Sequence, residues 1–369
     1  MTVFKFNENS KKTLKRYKTL KYQLISLIAL LLVLVILLPN NSIAQEKGSE
    51  LSSNGKNVGT TAAAFLEIGA GARAQAMGGA YTSISADATS MYWNPAGIGG
   101  VNGFELVFSH VNWIFETNYD YVGIVTSVGE TISIGANVTS FGVGDQIVRT
   151  VGFEEGTGEV YSAQDFAIGL SFAMNLTDRF SFGINAKYID QRIWHSKATG
   201  FAIDVGALYK TQVDGLQMGF SISNFGTSMQ MSGRDLINAI DPDIINQGVD
   251  NVPVNYETGS YGLPMLFRFG VSYEMQIPSI RSKLLIATDL LKPNNSDESI
   301  NIGLEYVVFD IIALRGGYRS LFIDEGTGGL SLGGGVIIAT STFNVLVDYA
   351  YVDLGLLSSV HNFGINLRF

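Results

Sequence analysis

The sequence predicts an all-β protein, a transmembrane antiparallel β-barrel of about fourteen strands preceded by a stretch of short helices and turns. Three observations predict it. From Gly103 onward, short segments alternate apolar residues with small or polar ones; the N-terminus carries an export signal; and the last strand keeps the alternation and stops on an aromatic residue. The composition agrees: 42 Gly, 22 Phe and 16 Tyr against 7 Pro suit many strands joined by tight turns. Past the N-terminal signal no apolar run is long enough for a membrane helix.

The signal comes first in the chain. A basic region reaching Lys21 precedes the apolar run Leu24 to Leu38, Pro39 breaks it, and Ser42-Ile43-Ala44 places small residues where a signal peptidase reads. The expected organisation is a signal peptide over 1–44, cut after Ala44, an N-terminal segment over 45–102 and a barrel over 103–369. The rival, an uncleaved anchor, would need a run of about twenty residues. Glu46 to Thr60 is polar and reads as a lead. Thr61 to Gly99 is rich in Ala and Gly, lacks period-two alternation and reads as short helices and turns.

The strands follow. One face of Gln164 to Met174 carries Phe166, Ile168, Leu170, Phe172 and Met174, and the other Asp165, Ala167, Gly169 and Ser171. Phe180 to Tyr188, Phe201 to Tyr209 and Met265 to Met275 divide in the same way, with Tyr188, Tyr209 and Tyr273 near the ends of apolar rows, where interfacial girdles sit. A soluble sandwich also alternates, but its polar rows carry the Lys and Glu of a solvated face. Here the polar rows mix Gly, Ser and Asn with single charges, as a crowded lumen requires. Asp204, Arg268, Asp289, Glu305, Arg315, Arg319, Asp348 and Arg368 are the expected lumen charges, pairing across strands. About 265 residues at roughly nineteen per strand and turn give fourteen strands, with twelve and sixteen open. Gly226 to Tyr261 does not alternate and reads as a long extracellular loop, with Thr150 to Val160 a second. In the last strand Phe363, Ile365, Leu367 and Phe369 form one row. A terminal aromatic behind such a row is what the barrel assembly machinery reads, since the last strand must pair with the first to abolish both edges.

Composition excludes several chemistries. There is no Cys, so no disulfide, thiolate metal site, thiol nucleophile or lipidated cysteine. His110, His195 and His361 are too few and too scattered for a zinc site. Asp235, Asp241, Asp243 and Asp250 invite a calcium reading of the long loop, but their spacing is not that of an EF-hand. No G-x-S-x-G occurs, and Gly328-Gly329 and Gly333-Gly334-Gly335 lack the Lys-Ser/Thr of a phosphate loop. No catalytic residue, metal or cofactor is expected. The net charge of −9 becomes more negative once the basic signal is removed, so nucleic acid is not an expected partner.

The stretch from Gly69 to Ile98 reads GAGARAQAMGGAYTSISADATSMYWNPAGI. Its pieces Gly71-Ala72-Arg73, Ala76-Met77-Gly78-Gly79-Ala80, Asp87-Ala88 and Tyr92-Trp93-Asn94-Pro95-Ala96-Gly97 resemble the N-terminal signature of the PorV/PorQ family, a branch of the FadL-like outer-membrane proteins. Leu314 to Arg319, Val347 to Tyr351 and the ending from His361 resemble later family strands. The resemblance implies a fourteen-stranded barrel holding an N-terminal hatch in its lumen, in which Gly71, Arg73, Met77, Gly78, Gly79, Asp87, Asn94, Pro95 and Gly97 are structural. Arg73 is expected to pair with Asp204, Asp289, Glu305 or Asp348. Asn94-Pro95 is a natural turn and is expected to cap the hatch where it meets the first strand.

The resemblance also implies a function in type IX secretion at the outer membrane, as a cargo-binding shuttle like PorV or a surface-attachment scaffold like PorQ. The partners would be outer-membrane lipid, the barrel assembly machinery, and secreted cargo proteins or secretion-system subunits. The alternative is a FadL-like channel for hydrophobic small molecules.

Overall fold

A computed structural model describes residues 59–84, 87–242, 251–323 and 328–369. The expected signal and its expected cut after Ala44, the lead before Gly59, and Asp243 and Asp250 lie outside the described residues. Fourteen antiparallel strands close into a barrel. They are β1 (Phe104–Asn112), β2 (Asn118–Val128), β3 (Ile132–Ile147), β4 (Val160–Thr177), β5 (Phe180–Ile193), β6 (Ser196–Lys210), β7 (Leu216–Gly226), β8 (Leu266–Ile277), β9 (Ser282–Pro293), β10 (Ser299–Val308), β11 (Ile312–Leu321), β12 (Leu330–Ala339), β13 (Asn344–Asp353) and β14 (Ser359–Arg368). Each pairs with its neighbour in sequence, and β14 returns to β1 with Glu105 opposite Arg368 and Asn112 opposite His361. Beyond the last ladder pair, Phe104 and Phe369 exchange both backbone bonds at 3.2 and 2.9 Å and their rings meet at 5.9 Å. The barrel has no open edge.

The expected faces are the observed ones. Along β8, Phe267 and Tyr273 are exposed, while Leu266, Arg268, Gly270 and Ser272 are buried. In β14 Phe363 and Ile365 point out, while Asn362 and Asn366 are buried. A sandwich would bury the apolar row; this protein exposes it all round and fills its interior with the polar row, which is the arrangement a bilayer demands. Among the described residues no helix is long and apolar enough to cross a membrane; crossing is by strands.

The barrel has two unlike rims. Turns 129–131, 178–179, 211–215, 278–281, 309–311 and 340–343 are short and share one rim with Phe104 and Phe369. The other rim carries 148–159 and 227–265. The long loop is less formless than its sequence pattern. Ile237–Ile240 pairs with Val252–Asn255, Met229–Gln230 with Ser260–Tyr261, and Ser196 and Lys197 of β6 with Ser232–Gly233.

The segment before β1 threads the lumen from one rim to the other. At the long-loop rim the Ala62 amide donates to the Gly262 carbonyl at 2.9 Å and the Asn295 amide to Thr61 and Glu67. At the short-turn rim the Asn175 side chain donates to the Gly99 carbonyl at 2.8 Å. Between them lie α1 (Ala72–Ala76), α2 (Ser90–Trp93) and short 3₁₀ turns at Ala64–Glu67 and Pro95–Gly100. The apolar core sits here, where Ala70, Ala74, Ala76, Met77 and Met91 are fully enclosed.

Candidate functional site

The hatch fits because neither side carries bulk where they touch. Gly78 turns the chain after α1 at φ 65°, a conformation that L side chains rarely adopt. Opposite it, a Cβ on Gly317 of β11 would stand 2.3 Å from the Gly78 nitrogen, and one on Gly206 of β6 would stand 2.0 Å from the Asn94 side-chain oxygen. Gly71 immediately precedes α1, Met77 and Gly79 follow it, and Gly97 lies in the turn begun by Pro95. Asn94 caps that turn by accepting from the Ala96 amide at 3.2 Å. Its own amide donates to the Thr82 carbonyl at 2.8 Å and to the Ala207 carbonyl of β6 at 3.1 Å, tying hatch to wall.

Charges hold what shape admits. Arg73 makes a forked contact, Nε and Nη2 donating to the two oxygens of Glu305 at 2.8 and 2.7 Å. Arg315 donates to the same carboxylate at 2.6 Å and to Asp348 at 2.6 Å. Two cations and two anions therefore neutralise one another in a buried row across β10, β11 and β13, as burial requires. Asp87 accepts from the Tyr81 hydroxyl and from the Thr89 amide and hydroxyl, 3.6 Å from Arg73. Asp289 of β9 accepts three bonds from the hatch, from the amides of Tyr81 and Thr82 at 2.9 Å each and the Thr82 hydroxyl at 2.6 Å.

Asp204 instead pairs within the wall, with Lys187 at 2.8 Å, Asn185 at 2.9 Å and the Asn224 amide at 2.7 Å. Arg268 lies over the rings of Tyr92 and Trp93 at 5.6 and 5.4 Å and donates to Ser223 at 2.8 Å. Arg319 donates to Gln75, and Arg368 sits 3.1 Å from Glu105. Sequence reasoning missed Glu105, Lys187, Gln75, Tyr81 and Thr82. Only Glu105 and Lys187 left a trace, as charges on the small-residue rows.

The histidines lie apart from this network. His195 bridges the β5–β6 turn and the long loop: Nδ1–H donates to Asp235 at 3.0 Å, and Arg234 donates to Nε2. Partial desolvation raises the Asp235 carboxyl, but the bonds from the His195 ring and backbone amide outweigh it and hold the group below its ordinary value. His110 and His361 lie on the outer wall, bonded to Asp120 and Tyr349 at 2.7 Å each. Among the described residues no three His, Asp or Glu side chains converge as a metal site requires. A small cleft of about 280 Å³ opens at the short-turn rim between Gly100–Asn102 and Thr340–Asn344.

Three solved structures share the architecture at low identity. The Ralstonia pickettii toluene transporter TbuX is 14% identical, with 82% of this chain and 98% of that one covered at a TM-score of 0.50. The Pseudomonas putida toluene transporter TodX is 12% identical, with 81% and 96% covered at 0.51. The CymD monoaromatic hydrocarbon channel is 14% identical, with 81% and 96% covered at 0.50. These likenesses show the barrel fold alone. Comparison with curated proteins gave no match. The family profile described as type IX secretion system protein PorV matches residues 51–248, more than half of the sequence and spanning the whole hatch. The hatch signature, the closed fourteen-stranded wall and that match agree: the chain belongs to the PorV family of type IX secretion system outer-membrane proteins.

Proposed function

We propose that this protein is a binding component of type IX secretion, a cargo shuttle or surface-attachment scaffold that works through its extracellular rim. The observation that carries the reading is the clamped hatch, taken with the family. A lumen filled by Ala, Gly and Met backbone, and tied to β6, β9 and β10 through Asn94, Asp289, Arg73 and Glu305, leaves the loops as the working surface. Outer-membrane barrels place short turns in the periplasm and long loops outside. The long-loop rim therefore faces the cell exterior, where 227–265 and 148–159 offer exposed Val151, Phe153, Ile237, Tyr256 and Tyr261 to a partner.

In this reading the hatch residues hold the fold and perform no chemistry. Export proceeds through a signal over 1–44 cut near Ala44. The row Phe363, Ile365, Leu367 and Phe369 is what the barrel assembly machinery engages.

The second reading is a channel for hydrophobic small molecules, favoured by the shared architecture with barrels described as toluene transporters. One deletion strain separates the two. Secreted proteins retained in the periplasm, with uptake of toluene-like compounds unchanged, support the first. Normal secretion with lost uptake overturns it.

A further inference from the structure

The wall is taller on one side. β3, β4, β5 and β6 run for 16, 18, 14 and 15 residues, against 9 in β1 and 12 in β8. Along β4, β5 and β6 the register stacks the outward side chains into cross-strand rows. Phe180 and Tyr209 form the lowest pair. Leu170 and Ile203 lie midway, flanking Ala186. The next row holds Tyr188 and Phe201, whose rings meet at 5.3 Å. Two rows higher stand Gln164, Arg192 and Lys197. These rows face out, because the alternating residues Asn185, Ile189, Ala198 and Ala202 are the buried ones.

A strand tilted about 40° rises about 2.5 Å per residue along the barrel axis. Tyr188 then stands roughly 20 Å above Phe180, and Arg192 roughly 30 Å, just past the edge of an apolar band about 25 Å tall. Arg192 and Lys197 therefore lie at the height of lipid headgroups, not of acyl chains. They are directly opposed across the strands, and like charges in that position repel. The structure offsets only part of this. Asp190, one row down and buried, has Oδ1 4.0 Å from Arg192 Nη2, yet the Arg192 side chain is 58% exposed. Among the described residues no carboxylate forms an ion pair with Lys197. Acids further up the sheet, Asp145 at the β3 bulge and Glu159, lie beyond the Gln164 row on the solvent side. Elsewhere on this rim the outward strand ends bear Asn112, Asp120 and Asp353, and Lys292 is matched by Glu298 at 2.9 Å.

We propose that the outward face of β4, β5 and β6 above Tyr188 is a binding site for a phosphorylated glycolipid of the outer leaflet, a lipopolysaccharide. Charge chooses the occupant. A phosphate seated between Arg192 and Lys197 removes their repulsion. The guanidinium matches two phosphate oxygens with parallel donors, and the ammonium adds a point charge. Gln164 and the exposed Thr199 beside them offer neutral donors and acceptors to sugar hydroxyls. The rings of Tyr188 and Phe201 and the apolar rows beneath receive the acyl chains. A zwitterionic headgroup would bring its own cation to a cationic site and gain less. The inference rests on the barrel's orientation, long loops outward, and not on the secretion reading.

The probe is lipopolysaccharide added to the purified full chain in nonionic detergent, with bound lipid counted by native mass spectrometry. Arg192→Gln combined with Lys197→Gln should weaken binding at least tenfold. Stripping the phosphates from the lipid should cost the unaltered protein as much. Arg192→Lys, which keeps the charge, should retain most of the binding. Lys210→Gln combined with Lys283→Gln removes cations near the short-turn rim and should change nothing. Each variant is first checked for the heat-modifiable gel shift of an assembled barrel; Lys197→Gln alone serves if the double variant does not assemble. Equal binding by the double variant, or of the phosphate-free lipid, overturns the proposal. So does equal binding of phosphatidylglycerol, which reduces the patch to an unselective anionic-lipid surface. The isolated barrel carries the measurement, so a negative result leaves the secretion reading untouched.

Discussion

Replacing Glu305 with Gln should destabilise the folded barrel by about 3–5 kcal/mol, the usual consequence of removing one partner from a buried ion pair. The structure says why the effect is large. Glu305 receives three charge-assisted bonds, at 2.8, 2.7 and 2.6 Å, from Arg73 of the hatch and Arg315 of the wall. Its side chain is 5% exposed, so water cannot replace it. Glutamine keeps the volume but removes the charge, and it turns one acceptor into a donor facing a guanidinium. Arg315 is then left with Asp348, and Arg73 with only the more distant Asp87 at 3.6 Å. The assay is urea unfolding in phospholipid vesicles followed by tryptophan fluorescence, to which Trp93 in the hatch contributes. A double-mutant cycle with Arg73→Met sharpens it. Because both residues belong to one contact, the double variant should be less destabilised than the sum of the singles by at least about 1 kcal/mol. A loss below about 0.5 kcal/mol for Glu305→Gln, or strict additivity with Arg73→Met, would refute the clamp.

Three further outcomes rest on other contacts. Gly317→Val places side-chain atoms where the Gly78 and Met77 backbone now lies, so the barrel should assemble while the hatch becomes sensitive to protease added to purified protein. Deleting Phe369 removes two backbone bonds and a ring contact to Phe104, and should lower the amount of assembled barrel in the outer membrane several-fold by immunoblot. The third concerns pH. The folded-state value of Asp235 is depressed, so its contribution is present above the ordinary carboxylate range of about 4 and is lost as pH falls through the folded value. Protection from hydrogen exchange in 227–242, taken relative to the intrinsic rate at each pH, should therefore hold at pH 5–7 and fall in strong acid, whereas Asp235→Asn should lower it already at neutral pH.

Much of the wall was legible because period two is a local property. Phe166 to Met174 or Phe363 to Phe369 need no distant partner to declare two faces. The hatch was legible through a run of unusual residues, Gly71 to Gly79 and Tyr92 to Gly97. Contacts between remote segments were not. Nothing near Glu105 announces that Asn366 and Arg368 will reach it, or that Asp204 will take Lys187 rather than Arg73. The short pairings inside the long loop were hidden for a physical reason: INAI and VPVN are too short to alternate, and Pro253 weakens the strand signal.

The bare glycine tracks on the wall have a mechanical consequence. Where main chain lies directly on main chain, as at Gly317 against Met77 and Gly78, no flexible side chain can absorb a partial displacement. A shift of an ångström at one seat breaks fit at the next, so the insert behaves as a bolt rather than a hinge. It is either home or withdrawn as one piece, and any force that unseats it must act on all its seats together.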